Sequence, residues 1–330
     1  MDAERTAALL AAKLTALTRD RVGADPRPAP FPGGAGLVDG DAGWVLLGPD
    51  ARAGLGAALA WARRAEVTEL RVVTDDDGSI GRLARRAGLF TTAPMIWLVD
   101  GPTLVAAEAE PGPVPLPPPE APELRSLLSA AGLELVDEDG VTQGEVLGLE
   151  VARIAHGPEG PELSVGVGRF DRELGEMTHA HLSPADRVAL VVEIVARYRR
   201  PGAPPHPLNQ LVPERWLRSA LVADPSLVGA AELSPVASVD GRHNLRERGV
   251  ASAIGSDVGG GQLVVSCSIG VDLELVPSAA DDRAAHAPDA RLVLAVPSRD
   301  ALPLTRDLAA RLAQPAEVVG LDGDWRIGWT

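Results

Sequence analysis

Three consecutive aspartates, Asp75–Asp77, follow an apolar segment that predicts a strand and precede a segment that predicts a helix. Carboxylate oxygens at the end of a strand are well placed to hold Mg²⁺, a hard cation that prefers oxygen ligands. Asp39 and Asp41, in a predicted hairpin turn, are candidates to join them. The pattern therefore predicts a possible magnesium site with Asp75 and Asp77 as ligands.

Arginines follow the aspartates on the same predicted helix. Arg82 and Arg86 are candidates to bind a phosphate, because guanidinium groups form strong paired hydrogen bonds with phosphate oxygens. Together with the aspartates they predict a magnesium-dependent phosphoryl-transfer or nuclease-like enzyme. The alternative is structural, since acidic residues cap helix N-termini and arginines decorate exposed helix faces.

Two other groups have residue types that support chemistry. His179 and His181, with Glu176 nearby, could share a metal on a strand, but no third ligand has a suitable spacing. Cys267 lies in an apolar strand-like segment, which is typical of a small buried hydrophobic residue and not of a nucleophile.

Composition narrows the class of partner. The 330 residues have a net charge of −15, which disfavours nucleic acid and anionic membranes as partners. Aromatic residues make up only 3%, so few side chains are available to stack on bases. Lys13 is the only lysine, which nearly excludes Schiff-base and phosphate-loop lysine chemistry.

The sequence also predicts the compartment. The first residues carry acids among apolar positions, unlike the basic start of a secretory signal, and no uninterrupted apolar run reaches the ~20 residues of a membrane span. A single cysteine, Cys267, permits no intrachain disulfide, as in a reducing compartment. We expect a cytoplasmic protein without a membrane segment.

The N-terminal part predicts a small α/β domain over residues 1–108, with a short sheet flanked by helices. Predicted helices cover 3–18, 50–64 and 79–90, and predicted strands cover 36–39, 43–47, 69–75 and one or two segments of 95–107. A Pro-rich segment follows at 109–122 and predicts a semi-rigid linker. A docking ligand of the P-x-x-P type is the alternative, although no basic residue flanks the prolines.

Residues 123–330 predict a mixed α+β domain, and the alternative is a division into two subdomains at 123–200 and 206–330. The strongest helix is expected from Pro184 to about 200, with Ser183 as its N-cap. Further helices are predicted at 122–132, 213–222, 278–286 and 300–313, and strands at 144–155, 161–170, 231–238, 250–254, 262–269, 291–296 and 316–321.

The C-terminal half resembles a bacterial family, number 1444 in the series of domains of unknown function. The resemblance covers about 150–330 and depends on Gly270-x-Asp272, the strand at 292–297, Arg299-Asp300 and the helix that follows. It draws attention to Asp272 and Asp300 but implies no catalyst, because the family has no established activity.

The order of elements in the N-terminal domain resembles the restriction-endonuclease-like core. That family uses an aspartate on one strand and Glu-x-Lys on the next, but no predicted strand here carries Glu-x-Lys and Lys13 lies in the first helix. The resemblance therefore implies a degenerate, non-cleaving domain. We expect a non-enzymatic protein that associates with another protein or with itself, and no cofactor; the magnesium-dependent enzyme is the alternative.

Overall fold

The computed structural model describes residues 3–49, 54–169, 171–173, 181–241, 244–246 and 249–326. The chain divides into two compact units. The first comprises Met1–Gly112, Leu273–Asp281 and Leu302–Glu317, and the second comprises Pro113–Asp272, Asp282–Ala301 and Val318–Thr330. The chain thus leaves the first unit within the Pro-rich segment, and two later segments return to it, which the sequence did not predict.

The described helices and strands confirm the predicted α/β and α+β class. The α-helices are α1 (Ala3–Thr18), α2 (Leu55–Arg64), α3 (Asp77–Ala87), α4 (Pro122–Ala130), α5 (Pro184–Tyr198), α6 (Pro213–Ala223), α7 (Leu275–His286) and α8 (Pro303–Ala310). Short 3₁₀ turns cover Pro207–Gln210, Pro225–Val228 and Ser298–Asp300.

The first unit contains a six-stranded sheet whose strands follow chain order. Its strands are β1 (Arg27–Pro28), β2 (Gly34–Asp39), β3 (Ala42–Leu47), β4 (Glu69–Thr74), β5 (Met95–Asp100) and β6 (Thr103–Ala106). The middle strands β3, β4 and β5 are parallel, and the outer pairs are antiparallel. Leu14, Trp44, Leu46 and Val73 lie in its core, where burial of apolar surface stabilises the sheet.

The second unit contains two sheets. The first is antiparallel and has the order β10-β9-β8-β7, with β7 (Glu134–Glu138), β8 (Val141–Val146), β9 (Leu149–Gly157) and β10 (Gly160–Val165). The second is mixed and has the order β11-β12-β13-β14-β15, with β11 (Ala230–Val236), β12 (Ala251–Asp257), β13 (Gln262–Cys267), β14 (Arg291–Pro297) and β15 (Glu317–Leu321). Helix α6 buries Trp216, Leu217 and Leu221 in the core of the mixed sheet.

One predicted strand is in fact two strands. The prediction of a single strand over 144–155 was wrong because Leu147 and Gly148 form a tight turn between β8 and β9, with φ of 47° and 77°. Their positive φ values suit a two-residue hairpin turn. Gly148 is required there, since a Cβ atom would lie 2.3 Å from the carbonyl carbon of Arg215.

Helix α5 begins where the sequence predicts. Ser183 Oγ accepts a hydrogen bond from the N–H of Asp186 at 3.2 Å, and Pro184 occupies the first turn. The helix ends at Tyr198. Helix α8 is shorter than predicted, because Asp300 belongs to a 3₁₀ turn that precedes it. None of the helices in the described part of the chain is long and apolar enough to span a membrane.

Candidate functional site

The aspartates at 75–77 have separate structural contacts. Lys13 Nζ lies 2.6 Å and 2.7 Å from the two carboxylate oxygens of Asp75. Asp76 caps α3, accepting hydrogen bonds from the N–H of Gly78 at 3.1 Å and from Ser79 Oγ at 2.7 Å. Asp77 lies in the first turn of α3, where the helix dipole favours an acid. The structural alternative, in which an acidic residue caps the N-terminus of a helix, therefore applies to Asp76.

Asp39 and Asp41 do not join this cluster. The backbone oxygen of Asp41 accepts hydrogen bonds from Thr68 and Glu69, at the beginning of β4, whereas Asp75 follows the end of that strand. Six strand residues separate the two ends, or about 20 Å. Asp39 accepts a hydrogen bond from the N–H of Gly23 at 2.8 Å. Convergence of these carboxylates was a wrong expectation, because parallel β3 and β4 place the turn and the aspartates at opposite edges.

The predicted phosphate-binding arginines also differ from expectation. Arg86 is only 1% exposed, and its Nε donates to Asp281 at 3.0 Å. Arg85 forms two hydrogen bonds with the same carboxylate, both 2.9 Å. Arg82 is half-buried. Arg86 therefore is not on an exposed face, since it neutralises a buried aspartate of the first unit.

Within the described residues, no three His, Cys, Asp or Glu side chains form a group that could hold a metal ion. Glu176 and His179 lie outside those residues, so the pair of histidines stays a prediction. Burial of Cys267 in β13 raises the pKa of its thiol to about 12, which keeps it protonated at neutral pH.

Asp272 and Asp300 lie in neighbouring loops at the ends of the parallel strands β13 and β14. Asp300 accepts a hydrogen bond from the N–H of Gly270 at 2.8 Å, and Asp272 accepts one from Ser268 Oγ at 3.2 Å. Both carboxylates thus hold the loop after β13. These contacts give the two positions a structural role.

A cleft with a volume of about 1240 Å³ is lined by described residues that all belong to the second unit. We call it the arginine cleft. Six arginines line it, namely Arg153, Arg169, Arg172, Arg187, Arg215 and Arg246. Its acidic residues are Glu138, Glu150 and Asp171. Its apolar residues are Val165, Val167, Leu190, Val191, Ile194, Val195, Leu208, Leu211 and Leu245. The lining therefore has a surplus of positive charge, in a chain whose net charge is −15.

Strands β8 and β9 build the polar floor of the cleft. Gln143 pairs with Arg153 across the strands, and Glu145 pairs with Glu150. A β-bulge between these pairs shifts the register of β8 and β9. It brings the side chains of Glu150 and Arg153 into contact, although the two residues are three positions apart on β9. Two directly opposed glutamates repel one another, so this floor requires compensating cations.

Helix α6 supplies two of these cations. Arg215 Nη1 lies 2.7 Å from Gln143 Oε1 and 2.9 Å from Glu145 Oε1, and Arg218 forms an ion pair with the other oxygen of Glu145. Burial opposes the charge of Arg215, but attraction to Glu145 and Glu138 outweighs this desolvation and raises the pKa of Arg215. The guanidinium is therefore firmly charged at the cleft floor.

Glu150 is held between two further arginines. Arg153 donates two hydrogen bonds to it, at 2.7 Å and 2.9 Å, and Arg172 Nη1 donates one at 2.7 Å. The hydrogen bonds with Glu150 raise the pKa of Arg153, whereas desolvation lowers the pKa of Arg172. This arrangement fixes two guanidinium groups beside the cleft.

Helix α5 forms the apolar wall. Leu190, Val191, Ile194 and Val195 line the cleft at the spacing of one helix face. Ile194 is 46% exposed, which is unusual for a large apolar residue that lines a cleft. Arg187 lies one turn before them, and among the described residues its buried Nε has no hydrogen-bond acceptor.

Arg199 positions the segment that carries Leu208 and Leu211. Its buried guanidinium donates to the backbone carbonyl oxygens of Leu147, Leu208, Leu211 and Val212. It also stacks over the ring of Trp216, 4.8 Å from the centroid. Burial lowers the pKa of Arg199 to about 10, so it stays charged at neutral pH.

This cleft has no local sequence signature, because its described residues come from segments spread over 138–246. One signal was present in the sequence. The apolar segment at 144–155 contains Glu145, Glu150 and Arg153, and charged residues in a strand that is otherwise buried require partners. The arrangement can bind an anionic group beside an apolar one.

The chain has no match among protein-family models, curated proteins or solved structures. The resemblances to family 1444 and to the restriction-endonuclease-like core therefore stay predictions. The candidate site rests on its geometry alone.

Proposed function

We propose that this chain is a non-enzymatic binding protein whose arginine cleft takes up a polypeptide segment with acidic and apolar side chains. The observation that carries the proposal is the pairing, in one cleft, of an apolar helix face with a surplus of arginines. Protein–protein association was also the sequence-based expectation.

The dimensions of the cleft favour a polypeptide over a small molecule. Its volume of about 1240 Å³ exceeds the ~300–1,000 Å³ of most small-molecule pockets. The face of α5 from Arg187 to Val195 extends over about 12 Å. About four residues of extended chain cover that length.

Charge supports an acidic partner. Arg187 and Arg246 lie at the cleft beyond the ion pairs that neutralise Glu138, Glu145 and Glu150, whereas Arg169 pairs with Glu173. Guanidinium groups are weakly hydrated and bind carboxylates through two parallel hydrogen bonds. A peptide carboxylate near Arg187 would give its buried Nε the acceptor that the described residues do not supply.

The composition of the lining supports binding without catalysis. The described residues that line the cleft include no Ser, Thr, Cys, His, Lys or Tyr, which provide most nucleophiles and proton-transfer groups. Of its carboxylates, Glu138 and Glu150 are engaged by arginines, and Asp171 accepts a hydrogen bond from the N–H of Val167 at 2.8 Å.

Fluorescence anisotropy with two labelled peptides of alternating sequence, one of Glu and Leu and one of Lys and Leu, tests the proposal. Lengths of about eight residues suffice, since they exceed the ~12 Å apolar face of α5. We expect the Glu-Leu peptide to bind and the Lys-Leu peptide to bind at least tenfold more weakly. Equal affinity for both peptides, or no binding of either, would contradict the proposal.

A matched pair of variants locates the binding. Arg187→Glu reverses a charge inside the cleft. It should weaken the binding of the Glu-Leu peptide about tenfold, equivalent to roughly 1.4 kcal/mol. Arg197→Glu makes the same change on α5 outside the cleft, where Arg197 is exposed and paired with Glu193. It should leave the affinity unchanged, and an equal loss in both variants would indicate nonspecific electrostatic attraction.

A further inference from the structure

We infer that the segment bound by the arginine cleft is the Pro-rich segment, residues 111–117, of a second copy of this chain. The inference rests on the proposed function and names its partner. It predicts self-association through a segment of one copy and the cleft of another.

The Pro-rich segment is exposed and apolar. All of its residues from Pro111 to Pro117 are exposed, and the exposed fractions of Val114 and Leu116 are 88% and 62%. Large apolar residues at this exposure are typical of interaction sites when they occur together. Proline fixes the backbone, so little conformational entropy is lost when such a segment binds.

The charge of the segment complements the cleft. Residues 107–124 contain no basic residue, and their charged residues are Glu108, Glu110, Glu120 and Glu123. Glu110 pairs with Arg85, so the acidic flanks that face a partner are Glu108, Glu120 and Glu123. The cleft has twice as many arginines as carboxylates. An apolar centre with acidic flanks therefore matches an apolar helix face with arginines around it.

The Pro-rich segment of the same chain does not contribute to the described lining of the cleft. The described lining residues belong to 138–246. A second copy can exchange segments reciprocally, which gives a closed pair in which each copy provides one segment and one cleft.

Sedimentation equilibrium of the full chain tests the association, with Leu116→Asp altering the segment and Ile194→Asp altering the cleft. We expect the wild type to dimerise and each variant to dimerise at least tenfold more weakly. Mixing the two variants should restore part of the association, because one copy retains its segment and the other retains its cleft. Both positions are substantially exposed, at 62% and 46%, so neither change removes a core side chain.

Val258→Asp is the matched control, since Val258 is apolar and 81% exposed in the turn between β12 and β13. It should leave dimerisation unchanged. A wild type that stays monomeric up to about 100 µM, or variants that dimerise as the wild type does, would overturn the inference.

A labelled peptide of residues 108–122 separates this inference from the proposed function. We expect this peptide to bind the wild type. Its affinity for the Ile194→Asp variant should be at least tenfold lower than its affinity for the wild type. If the Glu-Leu peptide binds and the 108–122 peptide does not, the inference fails and the proposed function stands. If neither binds, both fail.

Discussion

Asp75 in the first unit and Glu145 in the second are both carboxylates paired with cations, but their surroundings differ. The side chains of Asp75 and Lys13 are 52% and 39% exposed. Those of Glu145, Arg215 and Arg218 are 0%, 11% and 2% exposed. Solvent screens the first pair, whereas the second set must neutralise charges that have lost their hydration.

The difference shows how a site can be hidden from its sequence. Three adjacent aspartates attract attention, but they serve an exposed ion pair and a helix cap. Single charged residues within β8 and β9 attract little attention, yet they form the floor of the arginine cleft. Burial of a charge was therefore a better guide to the cleft than clustering of charges.

Removal of Glu145 should have the largest effect on stability. Glu145→Ala leaves Arg215 and Arg218 buried without their shared carboxylate, so we expect a loss of about 3–5 kcal/mol in the free energy of unfolding. Urea unfolding curves of wild type and variant measure this loss. A change below about 1 kcal/mol, as for an exposed pair, would mean that Glu145, Arg215 and Arg218 do not form a buried charge network.

Asp282 distinguishes the effect of burial from the effect of ion pairing, because it is fully buried and forms no ion pair with the described residues. It accepts hydrogen bonds from Ser252 Oγ, Ser238 Oγ and the N–H of Val239. Desolvation raises its pKa from 3.8 to about 6, although these hydrogen bonds and His286 nearby oppose the shift. Between pH 3.8 and about 6, the folded state therefore binds more protons at Asp282 than the unfolded state does. The contribution of Asp282 to the free energy of unfolding is therefore lost as pH rises from about 4 to 6.

Asp282→Asn removes the titrating group with little change of shape. The free energy of unfolding of the wild type, minus that of the variant, should fall by about 3 kcal/mol as pH rises from about 4 to 6. Urea unfolding at several pH values measures the difference, which also cancels the titration of other groups. Parallel pH profiles for the two proteins would show that Asp282 does not titrate in this range.

Asp75→Asn should have the smallest effect. It weakens an exposed pair with Lys13, and such pairs contribute about 0–1 kcal/mol. We expect a change below about 0.5 kcal/mol in urea unfolding and no change in affinity for the Glu-Leu peptide. A large loss of either quantity would give the aspartates a role that their described contacts do not indicate.

Local features of the fold could be predicted from the sequence. Ser183, Pro184 and Asp186 marked the start of α5 because capping depends on residues within one turn. The turn at Leu147 was missed, since a leucine with positive φ has no sequence signature.

The cleft could not be predicted because it depends on contacts between distant segments. Arg215 on α6 meets Gln143 on β8, 72 positions earlier in the chain. Arg172 meets Glu150 only because the chain folds back after β10. Spacing in the sequence specifies which residues share a helix or a strand, but it does not specify which elements pack together.

The most direct test of the account is hydrogen–deuterium exchange of the full chain with and without saturating Glu-Leu peptide. We predict slower exchange in α5 and in residues 208–215 when the peptide is bound, and no change at 75–87. Protection at 75–87 without protection of α5 would contradict the account, because it would place binding at the aspartates and not at the arginine cleft.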